Sequence, residues 1–286
     1  MSETMTSSTT RAADTTSADY WSEVARAWQH GRDRTWRAHS DAVNAALCRR
    51  WLPAGGVKRL LKTDLFDEAA AAGIVPALAD RARSIYAIDT SRETVVLART
   101  RYPSVRGAAT DVRSLPFADG SFDAVISNST LDHFTHAGDI TAALEELHRV
   151  LTPRGRLVLT LDNAANPAIA LRNALPFTWL ARLGLVPYFV GTTLGPTMAA
   201  AVLERIGFRV IEVTAILHCP RVLAVPLARL ADTAGSRWAP RLLRALAHFE
   251  HAERWPTRFR TGHFVAVLSE KMTPRAPEHS EGGEAP

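Results

Sequence analysis

The chain has 286 residues and a mass of 31.2 kDa, room for one large domain or two small ones. With 47% apolar and 22% charged residues and a mean hydropathy of −0.06, it has the proportions of a soluble globular protein, which excludes a disordered or fibrous chain. The net charge of +5 rests almost wholly on arginine, since only Lys58, Lys62 and Lys271 are lysines; it permits contact with anionic surfaces without requiring it.

The first 17 residues are rich in Ser and Thr and have no apolar core, so they read as a tail and not as a signal peptide. Residues 18–56 read as N-terminal helices. Trp21, Val24, Ala25 and Trp28 recur at helical spacing, Trp36, Val43 and Leu47 continue it, and Pro53-Ala-Gly-Gly56 breaks it. Residues 57–165 form the core. Strands are predicted at Arg59–Lys62, Ser84–Ile88, Val105–Ala109, Phe122–Ser127 and Arg156–Leu161, with helices at Glu68–Ala82, Ser91–Arg101 and Asp139–Leu151. Near-continuous apolar strands alternating with helices predict an α/β fold, a doubly wound and mostly parallel sheet covered on both faces.

Residues 166–205 read as a helical cap. Within it Leu183–Leu203 carries no charge, but its Gly, Pro and Thr content suits a buried or lid-like segment better than a membrane span. Residues 206–271 add two strands, Phe208–Leu217 and His263–Leu268, around a helical stretch, and residues 272–286 form a second low-complexity tail. Cys48 and Cys219 are too few for a disulfide scaffold and suit a reducing compartment, so a cytoplasmic location is expected. Neither stands in a CxxC or local Cys/His cluster, and no metal is expected.

In such a sheet, ligands bind beyond the carboxyl ends of the strands. The first strand is followed by Asp64, Asp67 and Glu68, the second by Asp89 and Thr90, the third by Asp111 and Val112, the fourth by Asn128, Ser129, Asp132 and His133, and the fifth by Asp162 and Asn163. An acid closing the second strand suits two vicinal ribose hydroxyls, and one closing the third suits an adenine amino group. Each acid could alternatively cap the helix that follows it.

The run LPFADGSFDAVISNSTLDHF, followed by ALEELHRVLTPRGRLVLT, resembles the core of class I S-adenosyl-L-methionine-dependent methyltransferases, of the small-molecule type-11 group. The resemblance covers roughly residues 57–165. It implies that Asp89 holds the ribose of S-adenosylmethionine, that Asp111 and Val112 meet the adenine, and that Asn128 lines the methionine moiety. The departure is the first loop. The family shows a glycine-rich GxGxG there, whereas this chain reads TDLFDEAAAAG with no glycine before Gly73. Either Asp64 takes the part of the family's acid or the loop is rebuilt. Its three acids could receive the cofactor's ammonium group, or cap the helix at Glu68. A dinucleotide would want glycines for its pyrophosphate, so an acidic loop tolerates the phosphate-free sulfonium and disfavours NAD.

Methyl transfer draws much of its catalysis from alignment. His133 is the candidate base, with Asp132 beside it, although both could equally cap and pack a turn. Asn163 and Asn166 could shape the site wall or serve turn chemistry before Pro167. The apolar cluster of Phe177, Trp179, Leu180, Leu183, Leu185, Val186, Tyr188, Phe189 and Val190 suggests an apolar small-molecule acceptor such as a lipid, isoprenoid or polyketide, or simply the core of the cap. Between Arg221 and Thr261, eight arginines face only Asp232, Glu250 and Glu253. Their spread among apolar residues suits an amphipathic helix, with peripheral membrane contact, better than nucleic-acid binding. The missing glycines leave one rival of another class, a protein of this fold that binds the cofactor or a partner without transferring methyl.

Overall fold

The computed structural model describes residues 18–28, 33–182, 186, 189–233 and 237–273; the expectations for the tails 1–17 and 274–286 lie outside them. Two helices, α1 (Ala18–Trp28) and α2 (Arg34–Trp51), precede the sheet. Then come β1 (Val57–Lys62), α3 (Phe66–Ala70), α4 (Val75–Leu78), β2 (Ala82–Asp89), α5 (Arg92–Arg101), β3 (Arg106–Ala109) and β4 (Phe122–Asn128). A short turn of 3-10 helix at Leu131–His133 leads to α6 (Ala137–Val150), β5 (Leu151–Asp162), α7 (Pro167–Ala174), α8 (Phe177–Arg182) and α9 (Pro196–Ile206). The chain closes with β6 (Phe208–Ile216), α10 (Arg221–Thr233), α11 (Ala239–Phe249), a 3-10 turn at Glu250–Arg254, α12 (Arg258–Thr261) and β7 (Phe264–Lys271).

The seven strands are ordered β3-β2-β1-β4-β5-β7-β6. The first five run parallel, and β7 is antiparallel to both β5 and β6. Strand alternation divides the core. Leu61, Val125, Leu157 and Leu159 turn to one face, against Ile140, Leu144 and Leu147 of α6 and Leu203 of α9. Leu60, Ala124, Ile126 and Val158 turn to the other, against Leu47 and Trp51 of α2 and Val95 and Ala98 of α5. Strands buried on both faces explain the unbroken apolar runs in the sequence. The order reverses between β1 and β4, and their carboxyl ends open the crevice where such sheets bind ligands.

The helix expected over Glu68–Ala82 is instead two short helices. Gly73 takes a left-handed φ of +61° between them, and the Glu68 carboxylate folds back to accept from the N–H groups of Ile74 (3.0 Å) and Val75 (3.3 Å), capping α4. A Cβ on Gly73 would collide with the Glu68 carboxylate, so this glycine provides both the turn and the room. Strand β5 begins at Leu151, directly after α6, five residues before the expected start.

Gly207 ends α9 at φ +111°, its N–H reaching the carbonyls of Leu203 and Glu204. A side chain there is strained in this left-handed conformation and would press on His148 at 3.2 Å. Gly207→Ala is therefore expected to cost about 1–2 kcal/mol, read as a lower urea midpoint with an unchanged slope.

Candidate functional site

One large cavity, of about 1020 Å³, lies over the carboxyl ends of the parallel strands. That is the upper end of the range of about 300–1,000 Å³ for single-ligand sites. Asp64, Asp67, Asp89, Thr90, Asp111, Val112, Asn128, Ser129 and His133 all line it. Eight of the nine expected cofactor residues are thus brought together.

Glu68 is the exception: the structure turns it away from the cofactor end of the cavity. It is fully buried and does not line the cavity. Besides capping α4, it puts Oε2 2.9 Å from Lys62 Nζ. Strand β1 therefore ends in a buried lysine, whose Nζ also donates to the Asp64 carbonyl (2.8 Å) and carboxylate (3.0 Å). Burial works against the Lys62 cation, but Asp64, Glu68 and Asp67 outweigh it and raise its pKa above the ordinary lysine range. The loop is rebuilt: an internal ion pair does the shaping that backbone freedom would do in a glycine-rich turn. Phe66 enters the cavity wall with the Arg37 guanidinium 5.1 Å from its ring centroid, and Arg37 pairs with Asp67 at 2.6 Å.

Asp89 is half-buried at the end of β2. Its Oδ2 accepts from Leu65 N (3.1 Å) and its Oδ1 from Ser91 N (2.8 Å). Ser91, not Asp89, caps α5 by accepting from Thr94 N. Burial pushes Asp89 up to about 7, and Asp64 adds to this against the two N–H donors. Asp111 accepts Arg113 in a fork at 2.6–3.1 Å, and Arg113 also reaches Asp139 at 2.7 Å. Burial would raise the Asp111 pKa, but Arg113 holds it below the usual carboxylate range. Asn128 ends β4 and lines the cavity, with a buried Oδ1 that has no hydrogen-bond donor among the described residues.

Sequence reading missed the contribution of α2. Arg37, Ser40, Asp41 and Asn44 line the cavity, and Arg37, Asp41 and Asn44 stand at i, i+4 and i+7. A polar stripe at that spacing was the available signal. Burial, helped by Asp67 and Glu68 and opposed by Arg37 and Lys62, pushes Asp41 up to about 7. Around the first loop, the carboxyls of Asp41, Asp64, Asp67 and Glu68 gather about Lys62 and Arg37, and the Arg101 guanidinium donates to the carbonyls of Glu68 and Ala69.

Asp132 is fully buried and holds the β4 turn, accepting from Ser129 Oγ (2.8 Å) and Asp162 N (2.9 Å). Ser129 itself sits at φ +46°. His133 faces the cavity, with Nδ1 2.9 Å from the Phe189 carbonyl, its ring 4.6 Å from that of Trp21 and Nε2 3.9 Å from Asp132 Oδ1. Asn163 is buried in turn contacts to Phe259, Gly262 and Ala165 and stays off the cavity wall. Asn166 caps α7 and also lines the cavity.

The far end is framed by Leu180, Val186, Val190, Leu217, Cys219 and Val222. Phe177 lies off this wall, packed on Phe189, and Trp179 is exposed; Leu183, Leu185 and Tyr188 lie outside the described residues. Asp162 pairs with Arg172 (2.6 Å) and His263 (3.3 Å), and Arg221 Nη1 stands 3.0 Å from His263 Nε2. Burial lowers the His263 pKa, and Arg221 and Arg172 reinforce this against Asp162, so its neutral imidazole accepts from Arg221.

Comparison with known proteins fits this geometry. Residues 69–159 match the profile of a methyltransferase domain. A demethylmenaquinone methyltransferase of Beutenbergia cavernae is 37% identical over 131 residues, 45% of this chain and 48% of that protein. The chain spans about half the length of the curated relatives it matches. Among solved structures, the [4+2]-cyclase SpnF shares the fold with a TM-score of 0.54 at 19% identity, over 80% of each chain. An S-adenosylmethionine-dependent methyltransferase of Methanosarcina mazei does so with a TM-score of 0.53 at 14% identity, over 79% of this chain and 97% of its own. The strand order, the acids closing β2 and β3 and the matched profile agree: residues 69–159 match a methyltransferase domain, set in the Rossmann-like fold that this chain shares with class I S-adenosylmethionine-dependent methyltransferases.

Proposed function

We propose that this protein transfers a methyl group from S-adenosylmethionine to an oxygen, nitrogen or carbon of a small, apolar acceptor. The observation that carries the proposal is the single cavity joining Asp89, Asp111 and Asn128 at the ends of β2, β3 and β4 to an apolar compartment under the cap. Asp89 would accept the ribose hydroxyls, Asp111 and Val112 would meet the adenine, and Asp64, Asp67 and the orphaned Asn128 Oδ1 would receive the ammonium end. The bound cofactor supplies an electrophilic methyl on a cationic sulfur. The chain's own residues align the acceptor and exclude water, which is where much of such catalysis resides. His133, at the cavity wall, would take a proton from an acceptor O–H or N–H.

The acceptor end supports an apolar substrate drawn from a lipid surface. Leu171, Leu175 and Val222 are both exposed and part of the cavity wall, and Leu223, Leu227 and Leu230 continue the exposed apolar face along α10. Among the described residues no helix is long and apolar enough to cross a membrane, so such contact would be peripheral.

Calorimetric titration with S-adenosylmethionine and S-adenosylhomocysteine, with NAD as control, tests the cofactor assignment. Micromolar binding of the two sulfur compounds alone is expected, weakened roughly tenfold by Asp111→Ala through loss of one charge-assisted hydrogen bond. Equal binding by that variant counts against the adenine assignment, and NAD binding against the cofactor class. The rebuilt loop favours one second reading, a cofactor-binding protein of this fold without transfer activity. Binding with no methylated product across a broad acceptor panel would favour it.

A further inference from the structure

At the acceptor end, three donor atoms from distant parts of the chain converge. His39 stands on α2, Cys219 follows β6, and Glu250 follows α11. His39 Nε2 lies 3.7 Å from Cys219 Sγ and 3.5 Å from Glu250 Oε1, and the three donor atoms fall within 4.8 Å of one another. His39 and Cys219 are 2% and 3% exposed, and Glu250 is half-buried. The nitrogen–oxygen spacing is too long for a direct N–H···O bond, which settles near 2.9 Å. The 3.5 Å pair already stands at the spacing of donors on one ion, since with zinc bonds of about 2.0–2.1 Å to nitrogen or oxygen and about 2.3 Å to sulfur tetrahedral neighbours stand about 3.3–3.6 Å apart; the Cys219 sulfur, now in hydrogen-bond contact with His39, has to close only slightly.

We propose that His39, Cys219 and Glu250 bind a zinc ion beside the acceptor compartment. The donor set is one that zinc takes, and a thiolate with a carboxylate balances the dication, leaving no net charge in a buried place. The carboxylate is already oriented from behind: Leu217 N donates to Oε2 at 3.0 Å and His218 N to Oε1 at 3.2 Å, as partners behind metal ligands commonly do. A thiol is protonated at neutral pH, so binding forms the S–Zn bond as the S–H bond breaks and releases that proton to solvent. Three protein ligands leave a fourth position for water or an acceptor atom, and Cys219 is itself part of the cavity wall. The ion would clamp α2, which carries Arg37 and Asp41, to the end of β6.

The test uses the full chain equilibrated with equimolar zinc and dialysed, with metal counted by plasma mass spectrometry. Cobalt loading in parallel reports sulfur ligation through a thiolate-to-cobalt absorption band. One zinc per chain is expected, with at least tenfold less retained by Cys219→Ser and by His39→Gln. The cobalt band should vanish in Cys219→Ser and persist in Cys48→Ser, which alters the other buried cysteine. Circular dichroism identifies any variant that fails to fold, and the remaining one then decides. The proposal is overturned if the folded wild-type chain retains no zinc, or if both variants retain as much as wild type. Neither readout involves S-adenosylmethionine, so its failure would leave the transfer reading untouched.

Discussion

Asp89→Asn is expected to weaken S-adenosylmethionine binding about 100-fold at pH 8, measured by calorimetric titration. The carboxylate at the end of β2 is half-buried and already oriented by the N–H groups of Leu65 and Ser91, so a ligand hydroxyl meets a fixed acceptor. Hydrogen bonds to a charged group contribute about 1.5–3 kcal/mol each, and losing the charge toward two ribose hydroxyls costs about 3 kcal/mol, or two decades. The amide also places an NH₂ against one of the two backbone donors. The effect should depend on pH in a direction set by burial. Asp89 titrates near 7 in the fold, so wild-type binding weakens as pH falls through 7 while the variant's stays flat, and the gap narrows by about tenfold at pH 6. The stability of the ligand-free protein runs the other way. Asp41 and Asp89 both hold protons in the fold up to about pH 7 and in the unfolded chain only to about 4. For these two carboxyls the native state binds more protons across that window, so their contribution to stability falls as pH rises through it, while His148 and His263, whose pKa values burial lowers, contribute in the opposite sense. Thermal melts at pH 5 and pH 8 check the sign.

Glu68→Ala is expected to lower the melting temperature by on the order of 10 °C. The carboxylate has no contact with solvent, accepts two N–H donors from the start of α4 and lies 2.9 Å from Lys62 Nζ. Removing one member of a buried pair typically costs about 3–5 kcal/mol, because the other charge stays behind, and each kcal/mol shifts the melting point of a chain this size by about 2–4 °C. The double substitution Lys62→Met, Glu68→Leu removes both charges and should recover most of the loss. If the single and double variants melt together, the pair is not what holds this loop. The same pair bears on binding. With Lys62 occupied by Asp64 and Glu68, the double variant frees the Asp64 carboxylate toward the cavity and should alter cofactor affinity more than Glu68→Ala does once both are compared below their melting points.

The sheet was legible because each core strand is buried on both faces and is written as an apolar run. The acids closing β2 and β3 were legible because position at a strand end is itself a statement about the ligand crevice. The first loop was not. A helix was expected from Glu68 onward because Ala69–Ala72 favour one, yet Gly73 and the Glu68–Lys62 contact override that local preference. The pairing depends on side chains turning inward, and nothing in TDLFDEAAAAG marks which acid does so. The place of Asp41, Arg221 and His263 on the cavity wall was not legible for another reason: they reach it from segments far from the family motif, and Arg221 and His263 read only as part of a basic helical stretch and as the start of a strand. Cys219 shows the limit most sharply, since its neighbours His39 and Glu250 lie 180 residues before it and 31 after it, beyond any spacing rule.

The position of β7 has a consequence for how the molecule is made. The last strand of the sheet pairs with β5 on one side and β6 on the other, so until Lys271 has left the ribosome neither has its partner. β1 to β4 can pair as they emerge, but the edge of β5, carrying Leu157, Leu159 and Leu161, stays unfilled through the synthesis of more than a hundred further residues. An open apolar edge is a template for pairing between chains. Nascent chains stalled between β6 and β7 should therefore be the aggregation-prone species, and yield in expression should respond to the rate at which the residues between β6 and the end of β7 are translated.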